Sequence, residues 1–183
     1  MKVLAIEHTR RGYFIDAVCY LAAVLLLSGL LLFATPSGTR AGAAVATAAG
    51  LVAWSLIEYG MHRFILHRIA PFRRLHEEHH RRPQALLATP TLLSAAAILV
   101  GVSLPAILLG NLWIGCGATL GVTAGYLAFS VLHYAVHHTR LRSPWLSQRQ
   151  RLHALHHRFP DRYYGVTLSL WDHVFNTAKP DGN

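Results

Sequence analysis

The sequence predicts an all-α integral membrane protein: four transmembrane helices in two hairpins, with a cytosolic histidine-rich helical cap. Three observations carry that expectation. Four apolar runs are each long enough to cross a hydrocarbon core of ~30 Å. The second and fourth continue without a breaker into histidine clusters: HRFILHRIAPFRRLHEEHH from His62 to His80, and HYAVHH from His133 to His138, followed by HALHH from His153 to His157. Those stretches hold eleven of the thirteen histidines, too concentrated for chance surface placement. Finally, 53% of the 183 residues are hydrophobic and only 14% charged, and the mean hydropathy is positive, which argues against a water-soluble globule.

The chain length fits one membrane domain, residues 1–183. A net charge of +9 and a pI near 10.3 would suit nucleic acid, but the basic residues lie between long apolar runs and form no soluble basic face. No nucleic-acid partner is expected. Arginines beside spans instead reflect topology and anionic headgroups. Cys19 and Cys116 lie within spans and read as small buried apolar residues, not as a disulfide. No cleavable signal follows the first apolar run.

Lys2, Arg10 and Arg11 form a positive lead-in, with His8 a lone surface histidine. The first span covers about 13–34, with Asp16 at headgroup level, and TPSGTR supplies a breaking loop. The second covers about 41–61, its helix continuing to Pro71, which disfavours helix at Ala70. The interfacial segment PFRRLHEEHHRR follows. The third span, about 91–109, contains Pro105, a potential kink. Gly110 and Asn111 form the only polar break before the fourth, about 112–132. The cap comprises residues 62–90 and 133–183. With four spans, both termini and all histidine clusters share one side, which holds sixteen of the seventeen basic residues, all but Arg40. The positive-inside rule makes that side cytoplasmic.

Spacing on an α-helix, about 100° per residue, sorts the histidines. His76, His79 and His80 form an HxxHH set on one face, and His153, His156 and His157 repeat it. His133 and His137 are a helical turn apart, whereas His138 points away. His62 and His67, at i and i+5, stand about 140° apart on an ideal helix. Two neighbouring ions could take one each, or a distorted turn could bring both to one. Ten imidazoles exceed the four to six ligands of a single ion and suit two. Imidazole alone does not name the metal, although the lack of clustered Cys and carboxylates disfavours iron–sulfur, Mg and Ca sites. Metal-bound imidazoles usually give their second N–H to a carboxylate or carbonyl. Glu58 and Asp172 are the chief candidates, with Glu77, Glu78 and Asp161 behind them. Aromatic residues near the clusters (Trp54, Tyr59, Tyr134, Trp145, Tyr163, Tyr164, Trp171) read as interface belt or packing.

HxxxxH, HxxHH, HxxxH and HxxHH in that order, followed by YGVTLSLWDHVFNT, resemble the fatty acid hydroxylase/sterol desaturase superfamily of integral-membrane di-iron oxygenases. The resemblance covers about residues 50–180. HRFILH, GYLAFSVLHYAVHH and LHALHHRFPDRYYGVTLSLWDHVFNT are most similar to the fatty acid 2-hydroxylase branch, which acts on fatty acyl chains of sphingolipids.

The resemblance implies that His62, His67, His76, His79, His80, His133, His137, His153, His156 and His157 are metal ligands. It implies two Fe ions (with Zn an alternative occupant in a purified sample), O2 as co-substrate, a lipid substrate from the bilayer, and catalysis by the di-metal centre itself. The fused cytochrome b5 domain of the eukaryotic 2-hydroxylases is not in this sequence, so a separate electron donor of ferredoxin or cytochrome b5 type is expected. The linker RIAPFRRL is also shorter than theirs. Compact carotenoid ring hydroxylases share that short link and, with sterol desaturases or oxidases, form the alternative reading. A non-catalytic metal-binding membrane protein is the remote one.

Overall fold

Helix α1, Arg10–Ala34, begins three residues earlier than hydropathy predicts because Thr9 caps it, its hydroxyl accepting from Gly12 N at 3.2 Å. The computed structural model describes residues 6–7, 9–140 and 143–178. Lys2 and His8 of the lead-in therefore lie outside the described residues. Among the described residues, four helical segments are long and apolar enough to cross a membrane: Arg10–Ala34, Ser37–Leu66, Thr91–Leu109 and Leu112–His138. The remaining helices are α3, Phe72–Arg81, α7, Pro144–Arg158, and the short α8, Leu170–Val174. A two-residue antiparallel pair, β1 (Ile6–Glu7) and β2 (Leu87–Ala88), is the sole departure from helix among the described elements.

The chain divides into two compact units, Met1–Trp54 with Leu86–Ala128 and Ser55–Ala85 with Phe129–Asn183. The first contains α1, most of α2 (Arg40–Gly60), α4 (Thr91–Ile98), α5 (Leu104–Leu109) and the larger part of α6 (Leu112–His138). Leu26 on α1 is 74% exposed and Phe33 88%, and one broad side of the helix, from Phe14 to Phe33, is a continuous exposed apolar surface suited to lipid and not to water, while Tyr20 on the opposite side is buried. Cys19 is exposed on this helix, contrary to the burial expected of it, and both cysteines are free.

Polar contacts tie the first unit together. Tyr20 Oη lies 2.6 Å from Ser94 Oγ, and the Thr91 hydroxyl donates to Asp16, so this acid is engaged with α4. The Tyr20 ring meets Tyr126 at 4.7 Å, and Tyr126 meets Trp54 at 5.4 Å. Pro105 has no N–H to give Gly101, and the helix accommodates this with a π segment, Leu99–Ser103, just upstream. Asn111 caps α6, its Oδ1 accepting from Trp113 N at 2.9 Å and Ile114 N at 3.1 Å.

In the second unit, the ends of α2 and α6 meet α3, α7 and α8. Ser143 caps α7 by accepting from Leu146 N at 3.1 Å, with Pro144 in the first turn, where its missing N–H costs nothing. Leu132, Leu146 and Val166 form its small apolar core.

Candidate metal centre

The helix carrying HRFILH changes period where the histidines begin. Met61–Leu66 is a π-helix, and His67 N donates to His62 O at 3.3 Å, an i→i+5 bond. That widened turn brings both rings to one face, with centroids 5.1 Å apart. Of the two readings the spacing leaves open, the structure takes the distorted turn.

Nine of the ten expected histidines gather in two groups, within each of which one ligand nitrogen per residue lies within 4.8 Å of the others. His62, His67, His76, His80 and His156 form the first, and His79, His133, His137 and His153 the second. The two HxxHH helices are shared crosswise. Helix α3 gives His76 and His80 to the first group and His79 to the second, while α7 gives His156 to the first and His153 to the second. His157 borders both. Its Nε2 is 3.1 Å from His153 Nε2, and its ring stacks on His80 at 4.3 Å. His138 stacks on Tyr134 at 4.5 Å, outside both groups, and His173 is exposed at the end of α8.

The donor set fits a metal ion in three respects. First, His62 Nδ1 donates to Tyr164 O and His156 Nδ1 to Arg162 O, each at 2.6 Å. A carbonyl can only accept, so the proton of each neutral ring sits on Nδ1, leaving Nε2 as a lone pair turned to the group. Second, Nε2 atoms meet at 2.9 Å (His62 and His76), 3.1 Å (His67 and His156; His76 and His80) and 2.8 Å (His137 and His153). Two ligands ~2.1 Å from one ion on adjacent, right-angled positions would stand ~3.0 Å apart. Third, His79 Nε2 is buried with no hydrogen-bond partner among the described residues, a costly position for a lone pair unless a cation receives it.

Electrostatics keep these rings in ligand form. Burial, and then the neighbouring His157, lowers His67 to about 4. Burial followed by His137 takes His79 to about 3, and burial followed by His157 takes His80 to about 3. His76, His153, His156 and His157 are also lowered, burial again leading. Imidazoles that stay neutral throughout the physiological range can bind metal without first releasing a proton.

The two expected carboxylates act one step further out. Glu58 Oε1 accepts from Val166 N at 2.7 Å and Thr167 N at 2.9 Å, and its other oxygen takes the Thr167 hydroxyl. Asp172 accepts from Tyr164 N at 2.8 Å, Gly165 N at 2.9 Å and Thr177 Oγ1 at 2.7 Å. The acids thus hold the 164–167 backbone, while carbonyls of 162 and 164 hold the imidazoles. Between those carbonyls Tyr163 has φ 53, a left-handed conformation uncommon outside glycine, and its N–H is anchored on Thr177 O at 3.1 Å. Glu77 and Glu78 pair instead with exposed arginines (Arg73 at 3.4 Å, Arg81 at 2.8 Å, Arg82 at 3.0 Å), and Asp161 is exposed.

Sequence reasoning missed Tyr164. Its ring packs 5.6, 5.5 and 5.6 Å from those of His62, His67 and His156, in addition to the carbonyl it offers His62. Its place in the tail motif, seven residues after His157, was the signal available.

Comparison with known proteins gives a consistent picture. A family model described as fatty acid hydroxylase matches residues 47–177. The chain is 30% identical over 174 residues to dihydroceramide fatty acyl 2-hydroxylase FAH2 of Arabidopsis thaliana, covering 89% of this chain and 69% of that protein. It is also 30% identical over 150 residues to ceramide very long chain fatty acid hydroxylase scs7 of Schizosaccharomyces pombe, covering 72% of this chain but only 41% of the relative. A solved structure of full-length scs7p, in which only the hydroxylase domain is visible, superposes with a TM-score of 0.78 at 25% identity, over 92% of this chain and 67% of that one.

Proposed function

Because the chain belongs to the fatty acid hydroxylase family, we propose that it is an O2-dependent lipid hydroxylase that inserts one oxygen into an acyl chain, in the manner of the fatty acid 2-hydroxylases. The single observation that carries this reading is the pair of adjoining histidine groups, five and four imidazoles, in one compact unit. In this reading His62, His67, His76, His80 and His156 hold one iron ion, and His79, His133, His137 and His153 hold the second, with His157 completing that set.

The iron pair, when bound, supplies the oxidising power for an unactivated C–H bond that acid–base side chains lack. The chain's own residues supply orientation. The carbonyls of Tyr164 and Arg162 fix the tautomers of His62 and His156. Asp172 holds the Tyr164 peptide through Gly165 N, Thr177 O holds the Arg162 peptide through Tyr163 N, Glu58 holds the adjoining amides of 166 and 167, and burial keeps the ligands neutral. Tyr164, 3% exposed, closes the first group against water. The substrate is a lipid from the bilayer. The names of the relatives favour an acyl lipid over the carotenoid or sterol alternatives. A ferredoxin- or cytochrome b5-type donor brings the electrons, and the histidine groups and both termini face the cytoplasm, a placement supported by sixteen of seventeen basic residues falling on that side.

Heterologous expression with lipid mass spectrometry tests the reading. Host acyl lipids should gain the mass of one oxygen, and the gain should vanish in His79→Ala and in His156→Ala, one ligand from each group. Unchanged lipids alongside an iron-loaded, folded protein would overturn it.

A further inference from the structure

We propose that Tyr59 is a one-electron relay serving the metal centre: a buried phenol that yields an electron toward the first histidine group and its proton toward Asp172. The inference rests on the oxygenase reading above.

The proton side is laid out by hydrogen bonds of determined direction. Tyr59 is 1% exposed, so its hydroxyl must be satisfied by protein. Its oxygen accepts from Arg63 Nη1 at 2.7 Å and lies 3.1 Å from Thr177 Oγ1. Thr177 Oγ1 is 2.7 Å from Asp172 Oδ1, which also accepts from Tyr164 N at 2.8 Å. An ionised carboxylate only accepts, so the single hydroxyl proton of Thr177 is committed to Asp172, and Tyr59 must donate to Thr177. Every hydrogen along Arg63, Tyr59, Thr177 and Asp172 points the same way, ending on a buried carboxylate. A phenol that loses an electron becomes strongly acidic, and here its proton has a prepared exit.

The electron side is a run of ring contacts. Tyr59 meets Tyr164 edge to face at 5.8 Å, and Tyr164 packs on three of the five imidazoles of the first group. On its other side Tyr59 stacks on Phe175 at 5.3 Å, and Phe175 on Trp171 at 6.1 Å. Tyr59 is therefore the second aromatic ring out from the histidines and the one that carries a proton acceptor chain.

When no substrate C–H bond is in reach, Tyr59 loses one electron through the Tyr164 ring to a metal ion left one electron short. Its O–H bond breaks, the proton passes to Thr177 Oγ1, and the proton of Thr177 moves to Asp172 Oδ1. A reductant of the thiol or ascorbate class later returns one electron to the neutral tyrosyl radical, and the proton comes back along the same chain. The effect is to spare the imidazoles from oxidation during idle turnover. A purely structural tyrosine would make the same hydrogen bonds but never hold an unpaired electron.

The test uses the purified full chain, loaded with Fe(II), reduced, exposed to O2 without lipid, freeze-quenched and examined by electron paramagnetic resonance. Iron content and lipid hydroxylation are measured in parallel. A tyrosyl radical signal is expected in the wild type. It should be lost in Tyr59→Phe and Thr177→Val, restored in Thr177→Ser, and kept in Tyr164→Phe, whose ring is intact. Peptide mass spectrometry should find more oxidised histidine at the site in Tyr59→Phe. A wild type that hydroxylates lipid yet gives no radical, or a signal undiminished in iron-loaded Tyr59→Phe, overturns the relay and leaves the oxygenase reading standing. A wild type that loads iron but neither hydroxylates lipid nor forms the radical overturns both.

Discussion

His62 and His67 stand five residues apart yet share a face, because the amide of His67 donates to the carbonyl of His62 at 3.3 Å across a π turn. The register is therefore specific. Inserting one alanine between Phe64 and Ile65 rotates His67 by about 100° more, away from the first group. If each group holds one iron ion, as proposed, metal analysis should then show roughly half the wild-type iron, since the second group draws no ligand from this segment. Full wild-type loading would show that His67 is dispensable.

Glu58 is the second place where a distant contact sets the site. It accepts two backbone N–H groups and a hydroxyl from residues more than a hundred positions away. Glu58→Ala leaves those donors unpaired in a buried place, at a cost of about 1–3 kcal/mol for each. It also loosens the segment that holds His62. Iron affinity should fall by about 10–100-fold, the usual effect of removing an outer partner of a ligand, together with the thermal midpoint. Glu58→Gln retains one acceptor oxygen and should lie between the two. Iron titration and thermal unfolding in detergent would check both, and an unaltered affinity in the alanine variant would place Glu58 outside the site.

Acid should destabilise the metal-free protein through its buried imidazoles. His67, lowered to about 4, and His79 and His80, lowered to about 3, are neutral in the folded state where an unfolded histidine, with a pKa of about 6.5, begins to charge. Below that pH the unfolded chain binds more protons than the folded one. Their stabilisation is thus complete above pH ~6.5 and declines as pH falls toward the lowered folded values. Denaturant unfolding of chelator-treated protein between pH 7.5 and 4.5 should show this decline. A flat profile would mean that the clusters are solvated.

The four spans and eight of the ten histidines were legible in the sequence because each is a local pattern, a run of apolar residues or imidazoles at helical spacing, whereas His62 and His67 share a face only through the π turn. The partition of the histidines was not legible. HxxHH reads identically in α3 and α7, yet His79 and His153 join one group while His76, His80 and His156 join the other, which only the packing of four helix ends determines. Glu58 and Asp172 could be singled out as acids near histidines. That they act through the backbone of 164–167 could not, because the contact from Glu58 closes a loop of more than a hundred residues. Asn111, seen only as a break, is a helix cap that follows from ordinary capping preferences.

Helix packing in the first unit supplies a prediction independent of the metal. Gly117, Gly121 and Gly125 repeat every four residues along α6, a spacing that lets transmembrane backbones approach closely. A Cβ on Gly121 would lie 2.1 Å from Thr47 O and 2.7 Å from Leu51 N, and one on Gly125 would lie 2.4 Å from Trp54 Cγ. The clash at Gly121 is with backbone, so no rotamer change relieves it, and α2 and α6 must separate. Gly121→Leu should lower stability by at least the ~1–3 kcal/mol typical of overpacking. Gly29→Ala on α1, where nothing lies within 4 Å of the added carbon, should stay within about 0.5 kcal/mol of wild type. Thermal unfolding of both variants in the same detergent makes the comparison. Equal midpoints would mean that the glycine stripe does not bring these helices together.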